Sequence, residues 1–167
     1  LAAKETAFAP EGIVIEGFLS IGSIAAFQEG LFQVQDESSM LAGRALAPEP
    51  GSKVIDTCSA PGGKTTHLAQ LMENRGEIIA VDVHPHKLDL IKENSGRLGI
   101  NIIREIAGNA ARMPEKLYNS ADYVLVDAPC SGLGVLRRRP DARWRKEPEQ
   151  IAELVKLQAE ILESTSR

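Results

Sequence analysis

The densest chemistry in the chain lies in Asp56-Thr57-Cys58-Ser59-Ala60-Pro61-Gly62-Gly63-Lys64-Thr65, a run of small and turn-forming residues between an apolar stretch and a helical pattern. Strand-to-helix turns of this kind are where open α/β sheets bind ligands. Small residues let the backbone come close to a ligand, and the helix N-terminus offers unpaired N–H groups to its polar atoms. An ordinary connecting turn could carry the same two glycines. The run ends like a phosphate-binding P-loop at Gly63-Lys64-Thr65, and Val124-Leu125-Val126-Asp127 imitates the metal-binding strand of an ATPase. The spacing refutes that reading: G-x-x-x-x-G-K-[ST] puts its first glycine where Cys58 stands, and Pro61 removes an N–H from the cradle.

Asp82 ends a second apolar run 26 residues after Asp56, near the spacing of about 20 at which an acid meets a ribose. A solvated helix cap would have the same appearance. Asp127-Ala128-Pro129-Cys130-Ser131-Gly132 follows a third such run. A thiol there serves as nucleophile or base where a cation or a helix N-terminus favours the thiolate. The alternative is an inert buried cysteine, and the flanking Asp, Pro, Ser and Gly favour chemistry. From Gly134 to Lys146 six basic residues stand against one acid, a local charge of +5. Arg137, Arg138, Arg139, Arg143 and Arg145 would touch a polyanion such as RNA. Trp144 either stacks on a base or anchors the last helix. His67, His84 and His86 have no acid or cysteine in a metal spacing, so they read as surface or packing residues and no metal site is predicted.

The elements that must position these groups alternate from residue 51 onward, the pattern of a parallel sheet with helices on both faces. Lys53–Asp56 reads as a strand, Lys64–Asn74 as a helix with Leu68, Leu71 and Met72 on one stripe, and Glu77–Asp82 as a second strand. Pro85 opens the next helix, running to Leu98, at the position where its missing N–H costs nothing. Asn101–Ile106 is a third strand and Ala121–Asp127 a fourth, apolar enough to be central. Residues 147–163 form an amphipathic helix with Ile151, Leu154, Val155, Gln158, Ile161 and Leu162 on its apolar stripe. Before residue 51, Gly12–Gly17 and Gly30–Asp36 are glycine-bounded strand signals, which predict short antiparallel pieces packed on the sheet. Residues 1–50 are thus an extension and 51–167 the main domain.

The chain has 167 residues, 43% hydrophobic and 25% charged, enough for one globular core. No run approaches the roughly 20 apolar residues of a membrane span, and no signal peptide is visible, which predicts a cytoplasmic protein with no membrane partner. Cys58 and Cys130 form no CxxC pair and read as free thiols. A net charge of −4 argues against a uniformly cationic nucleic-acid binder, leaving the local patch as the basic surface.

Taken together, these segments resemble the RsmB (Sun)-type RNA cytosine-C5 methyltransferases from about residue 30 onward. Gln35-Asp36-Glu37-Ser38-Ser39 resembles a motif early in that family's domain. Asp56–Thr65 resembles its S-adenosylmethionine loop, D-x-C-A-A-P-G-G-K-T, with Ser59 for an alanine. Asp127–Gly132 resembles its D-A-P-C-S-G, and Arg138–Trp144 its R-R-x-P-D-x-x-W. The resemblance implies a Rossmann-like methyltransferase fold with a small antiparallel extension. It also implies that Cys58, Ser59, Ala60, Pro61, Gly62, Gly63 and Lys64 bind the cofactor, with Asp127 beside it and Asp82 and Lys87 near its ribose. Asn109, in Gly108-Asn109-Ala110, takes the place of a G-D-A acid at the adenine, keeping the carbonyl and losing the charge. The implied function is methyl transfer to C5 of a cytosine in structured, ribosomal RNA. In the family's chemistry one cysteine, in a T-C-S-like motif after a fifth strand, adds to C6 of the base. The D-A-P-C-S-G cysteine assists product release and its aspartate supports the ring, which gives those roles to Cys130 and Asp127. No cysteine follows Cys130. By this comparison the domain is C-terminally truncated, and the competing expectation is a cofactor- or RNA-binding fragment without catalysis. Its fourth strand would then be an exposed edge through which the chain self-associates.

Overall fold

The structure, a computed structural model, describes residues 1–136, 140, 144 and 147–167. Four strands, β3 (Lys53–Thr57), β4 (Glu77–Asp82), β5 (Ile103–Ala107) and β6 (Tyr123–Val126), form a parallel sheet in the order β5-β4-β3-β6. The strand period of two divides their side chains between two faces. Val54 and Ile78 pack with Leu68 and Ala69 of α3 (Gly63–Leu71) and with Met72 just after it, while Ala80 meets Leu88 and Ile91 of α4 (Pro85–Arg97). On the other face Ile55, Ile79 and Val81 pack with Met113 and Leu117, beside α5 (Pro148–Thr165), whose Ser164 hydroxyl accepts a hydrogen bond from the Met113 N–H at 2.9 Å. The α/β architecture with helices on both faces is therefore as predicted.

The extension contains an antiparallel hairpin of β1 (Ala2–Glu5) and β2 (Ile13–Glu16), a short α1 (Ala25–Gln28) and α2 (Glu37–Leu46). Side chains tie it to helices: Glu11 bridges His67 of α3 at 2.8 Å and Arg44 of α2 at 2.9 Å. Glu37 accepts the backbone N–H groups of Phe8 and Ala9.

Three expectations need correction. The segment from Gly30 to Asp36 is no strand: the Arg97 guanidinium donates to the carbonyls of Phe27 and Phe32 at 2.8 and 3.0 Å and to the Gln33 side chain, and lies 3.9 Å over the Phe27 ring. Within the segment, the Phe32 carbonyl meets a side chain from α4 instead of a neighbouring strand. Chain and helix come so close here that a Cβ on Gly30, at φ +75°, would sit 1.8 Å from the Arg97 carbonyl oxygen. Next, β6 lies at the sheet edge, as one of the two expectations for the fourth strand had it, and not at the centre. It pairs only with β3 among the described residues, and all four of its side chains are half-buried. Finally, α5 buries Ile161 and half-buries Leu154 and Gln158, but leaves Ile151, Val155 and Leu162 exposed. The periodicity marked a wider stripe than the sheet covers. No helix among the described residues is long and apolar enough to cross a membrane.

Candidate active site

The carboxyl ends of β3, β4 and β6 open on one side of the sheet, and three of the predicted segments meet there. After β3, Cys58 turns the chain with a left-handed φ of 58°. The Ser59 N–H and hydroxyl both donate to the Val81 carbonyl, at 3.0 and 3.1 Å, which ties the loop to β4. Gly62, at φ +100°, starts α3; a Cβ there would meet Ile91 at 3.0 Å, so the position favours glycine both in backbone angle and in space. Gly63 follows with open space where a Cβ would lie.

Asp82, 8% exposed at the end of β4, is committed to the backbone. One oxygen accepts the Ala60 N–H at 3.2 Å and the other the His84 N–H at 2.9 Å, so this carboxylate joins the loop to the start of α4. Lys87 lies in the first turn of that helix, half-buried. Asn109 follows β5, and its side-chain carbonyl caps the Ala111 N–H at 2.9 Å. The carbonyl predicted to face a ligand is thus engaged locally, and the amide nitrogen is the group left for outward chemistry. After β6, Asp127 pairs with Lys64 at 2.7 Å, and the same ammonium reaches the Ser39 hydroxyl at 3.3 Å. Cys130 is exposed and free, on a segment held by the Gln158 amide donating to the Pro129 carbonyl at 2.8 Å.

These groups surround a cavity of about 190 Å³ lined by Gln35, Asp36, Ser39, Asp56, residues 58–61, Gly63, Lys64 and Asp127. Two of its residues carry buried polar atoms without a hydrogen-bond partner, Gln35 Nε2 and Asp56 Oδ1. Asp56 is 1% exposed, and its other oxygen accepts the Thr65 hydroxyl at 2.6 Å. Burial pushes its carboxyl up to about 7, against the Thr65 hydrogen bond. The Cys58 thiol is likewise pushed up to about 11, by burial first and then by the charges of Asp82, Asp56 and Asp127. A thiol so placed stays protonated and is a poor nucleophile. This matters because Thr57-Cys58-Ser59 itself spells a T-C-S triplet. Burial in this turn disfavours the thiolate that an attacking role would need.

The sequence missed Asp56 as a site residue; its signal was an acid at the strand end, hidden within the loop motif. It also read all three histidines alike, whereas His67 is buried against Glu11 and only His84 and His86 are exposed. Arg137, Arg138, Arg139, Arg143 and Arg145 lie outside the described residues. Trp144 is 80% exposed. Among the described residues no cluster of His, Cys, Asp or Glu could hold a metal ion.

The family model of the 16S rRNA methyltransferase RsmB/F matches residues 43–167. The chain belongs to this family. The cofactor of these methyltransferases is S-adenosylmethionine. A probable ribosomal RNA small subunit methyltransferase B of Bacillus subtilis is 48% identical over 145 residues, 84% of this chain and 32% of the relative. Among solved structures, PH0851 superposes with a TM-score of 0.95 at 40% identity, over 99% of this chain and 38% of that one. NSun6 from Pyrococcus horikoshii, solved with SFG, superposes with a TM-score of 0.77 at 37% identity, over 88% of this chain and 37% of that one. This RsmB/F chain spans about a third of the length of the relatives it matches.

Proposed function

We propose that this chain is the S-adenosylmethionine-binding part of an enzyme that methylates C5 of a cytosine in ribosomal RNA. The observation that carries the reading is the cavity bordered by the Cys58–Lys64 loop and the Lys64–Asp127 pair, with Asp82 fastening the loop from behind. Its chemistry fits the group. The donor is a sulfonium with an amino-acid tail, and a cavity ringed by Asp56, Asp127 and the nearby Asp82 favours positive charge. The unpartnered Gln35 N–H and Asp56 oxygen offer one donor and one acceptor to such a tail.

In this reading Asp82 accepts from the ribose hydroxyls while its oxygens hold the loop, with Lys87 nearby and Asn109 offering its amide to the adenine. When bound, S-adenosylmethionine supplies an electrophilic methyl group. Lys64, 2.7 Å from Asp127, orients it beside the target ring, where it supports the cytosine. Cys130, exposed beside the ring, assists loss of the C5 proton as the product is released. Arg137, Arg138, Arg139, Arg143 and Arg145 hold the RNA backbone, and Trp144 stacks on a base.

A second reading follows from the thiols. Attack at C6 needs a thiolate, Cys58 is held protonated, and Cys130 has the release role. The 167-residue chain then binds cofactor and RNA without transferring a methyl group by itself. Titration with S-adenosylhomocysteine and a labelled-methyl assay on 16S rRNA test both readings. Binding without transfer is expected of this chain. Robust transfer abolished by Cys130→Ala would overturn the division of labour, and absence of binding would overturn the cofactor assignment.

A further inference from the structure

The mechanism above uses Asp56 only as an acceptor toward the ligand's tail. Asp56 is the penultimate residue of β3, which lies between β4 and β6, is 1% exposed, and lines the cofactor cavity with an oxygen that has no partner. Around it stand Lys64 and Thr65 of α3, Cys58 of its own loop, Asp82 after β4, Asp127 after β6, and Asp36 at the start of α2. Lys64 is the one cation among the described residues lining the cavity, and it is spent on Asp127 at 2.7 Å and Ser39 at 3.3 Å. Asp56 therefore has one hydroxyl for a partner, and the Lys64 charge that favours its ionised form is set against burial and the carboxylates of Asp127 and Asp82, a poor setting for a buried charge.

We infer that Asp56 is neutral in the free protein and becomes charged when a cationic group enters the cavity, so that cofactor binding expels one proton. The inference rests on the cofactor reading above. The carboxyl O–H bond breaks, the proton passes to solvent, and the carboxylate is left facing the ammonium or sulfonium of the ligand, which loses no proton. The upward push on this carboxyl, to about 7, agrees with that geometry and sets where the effect should fall. Affinity for the amino-acid-tailed nucleoside should thus rise with pH and level off near neutrality, which makes the site sensitive in the physiological range.

Calorimetric titration of the chain with S-adenosylhomocysteine from about pH 5.5 to 7.5, in two buffers of different ionisation enthalpy, reads both affinity and protons. Release should approach one proton per ligand at the acid end, with affinity rising up to about tenfold per pH unit there. Asp56→Asn should bind with the slope gone. Thr65→Val, which removes the hydrogen bond favouring the charged form, should move the levelling to higher pH, and this keeps the inference testable where the asparagine variant fails to fold. A flat wild-type profile overturns it. So does a slope that survives Asp56→Asn, which would belong to another group. No binding at any pH would instead overturn the cofactor reading itself.

Discussion

Replacing Asp82 separates a ligand contact from a structural one. In the structure both of its oxygens are occupied, by the Ala60 N–H at 3.2 Å and the His84 N–H at 2.9 Å, and the group is 8% exposed. Asp82→Asn keeps one acceptor oxygen and turns an NH2 group toward a backbone donor. Losing a hydrogen bond to a charged group costs about 1.5–3 kcal/mol, which in a chain of this size lowers Tm by about 3–12 °C. A drop in affinity for S-adenosylhomocysteine would follow from loop distortion alone, so it does not identify a ribose contact. A double-mutant cycle does: wild type and Asp82→Asn are each titrated with S-adenosylhomocysteine and its 2′-deoxy analogue. A direct contact predicts that wild type discriminates between the ligands by about 10–150-fold, corresponding to the same 1.5–3 kcal/mol, and that the variant largely does not. Equal discrimination by both proteins would refute the ribose assignment and leave Asp82 as a fastener of the loop.

Gly30→Ala forces a left-handed backbone on alanine, costing about 1–2 kcal/mol, and drives its Cβ into the Arg97 carbonyl; Tm should fall by at least about 4 °C in thermal denaturation. Asp56 has a folded-state pKa of about 7 against an ordinary value of 3.8. Its protonation therefore favours the fold fully below pH ~3.8, and that contribution is lost as pH rises through ~7. Relative to wild type, Asp56→Asn should gain stability across this window, by up to on the order of 4 kcal/mol above pH ~7, less the unpaired amide N–H; denaturant titrations at about pH 4 and 8 showing the same difference would contradict this. Reversing Arg138, Arg139 and Arg143 together should weaken RNA binding and flatten its log–log salt dependence by about one for each phosphate no longer neutralised, and an unchanged slope would move the RNA surface elsewhere.

Much of the fold was legible because its signals are local. Alternating β-rich runs and helical stripes, Pro85 at a helix start, and a turn of small residues after β3 each follow from backbone sterics within a few positions, and all appear in the structure. The turn after β3 and the acid at the end of β4 stood out the same way, as residue types at a spacing. Only the tertiary structure decided which groups face one another. Lys64 and Asp127 are 63 residues apart, and they meet because β6 is laid beside β3. Arg97 and Phe32 are 65 apart, and their contact turned a predicted strand into a clamped loop, since a guanidinium satisfies carbonyls as well as a neighbouring strand does. The face α5 buries and the isolation of Asp56 depend likewise on packing. Periodicity says that a stripe is apolar, not how much of it a neighbour covers, and an acid's charge state is set by burial and by partners distant in sequence.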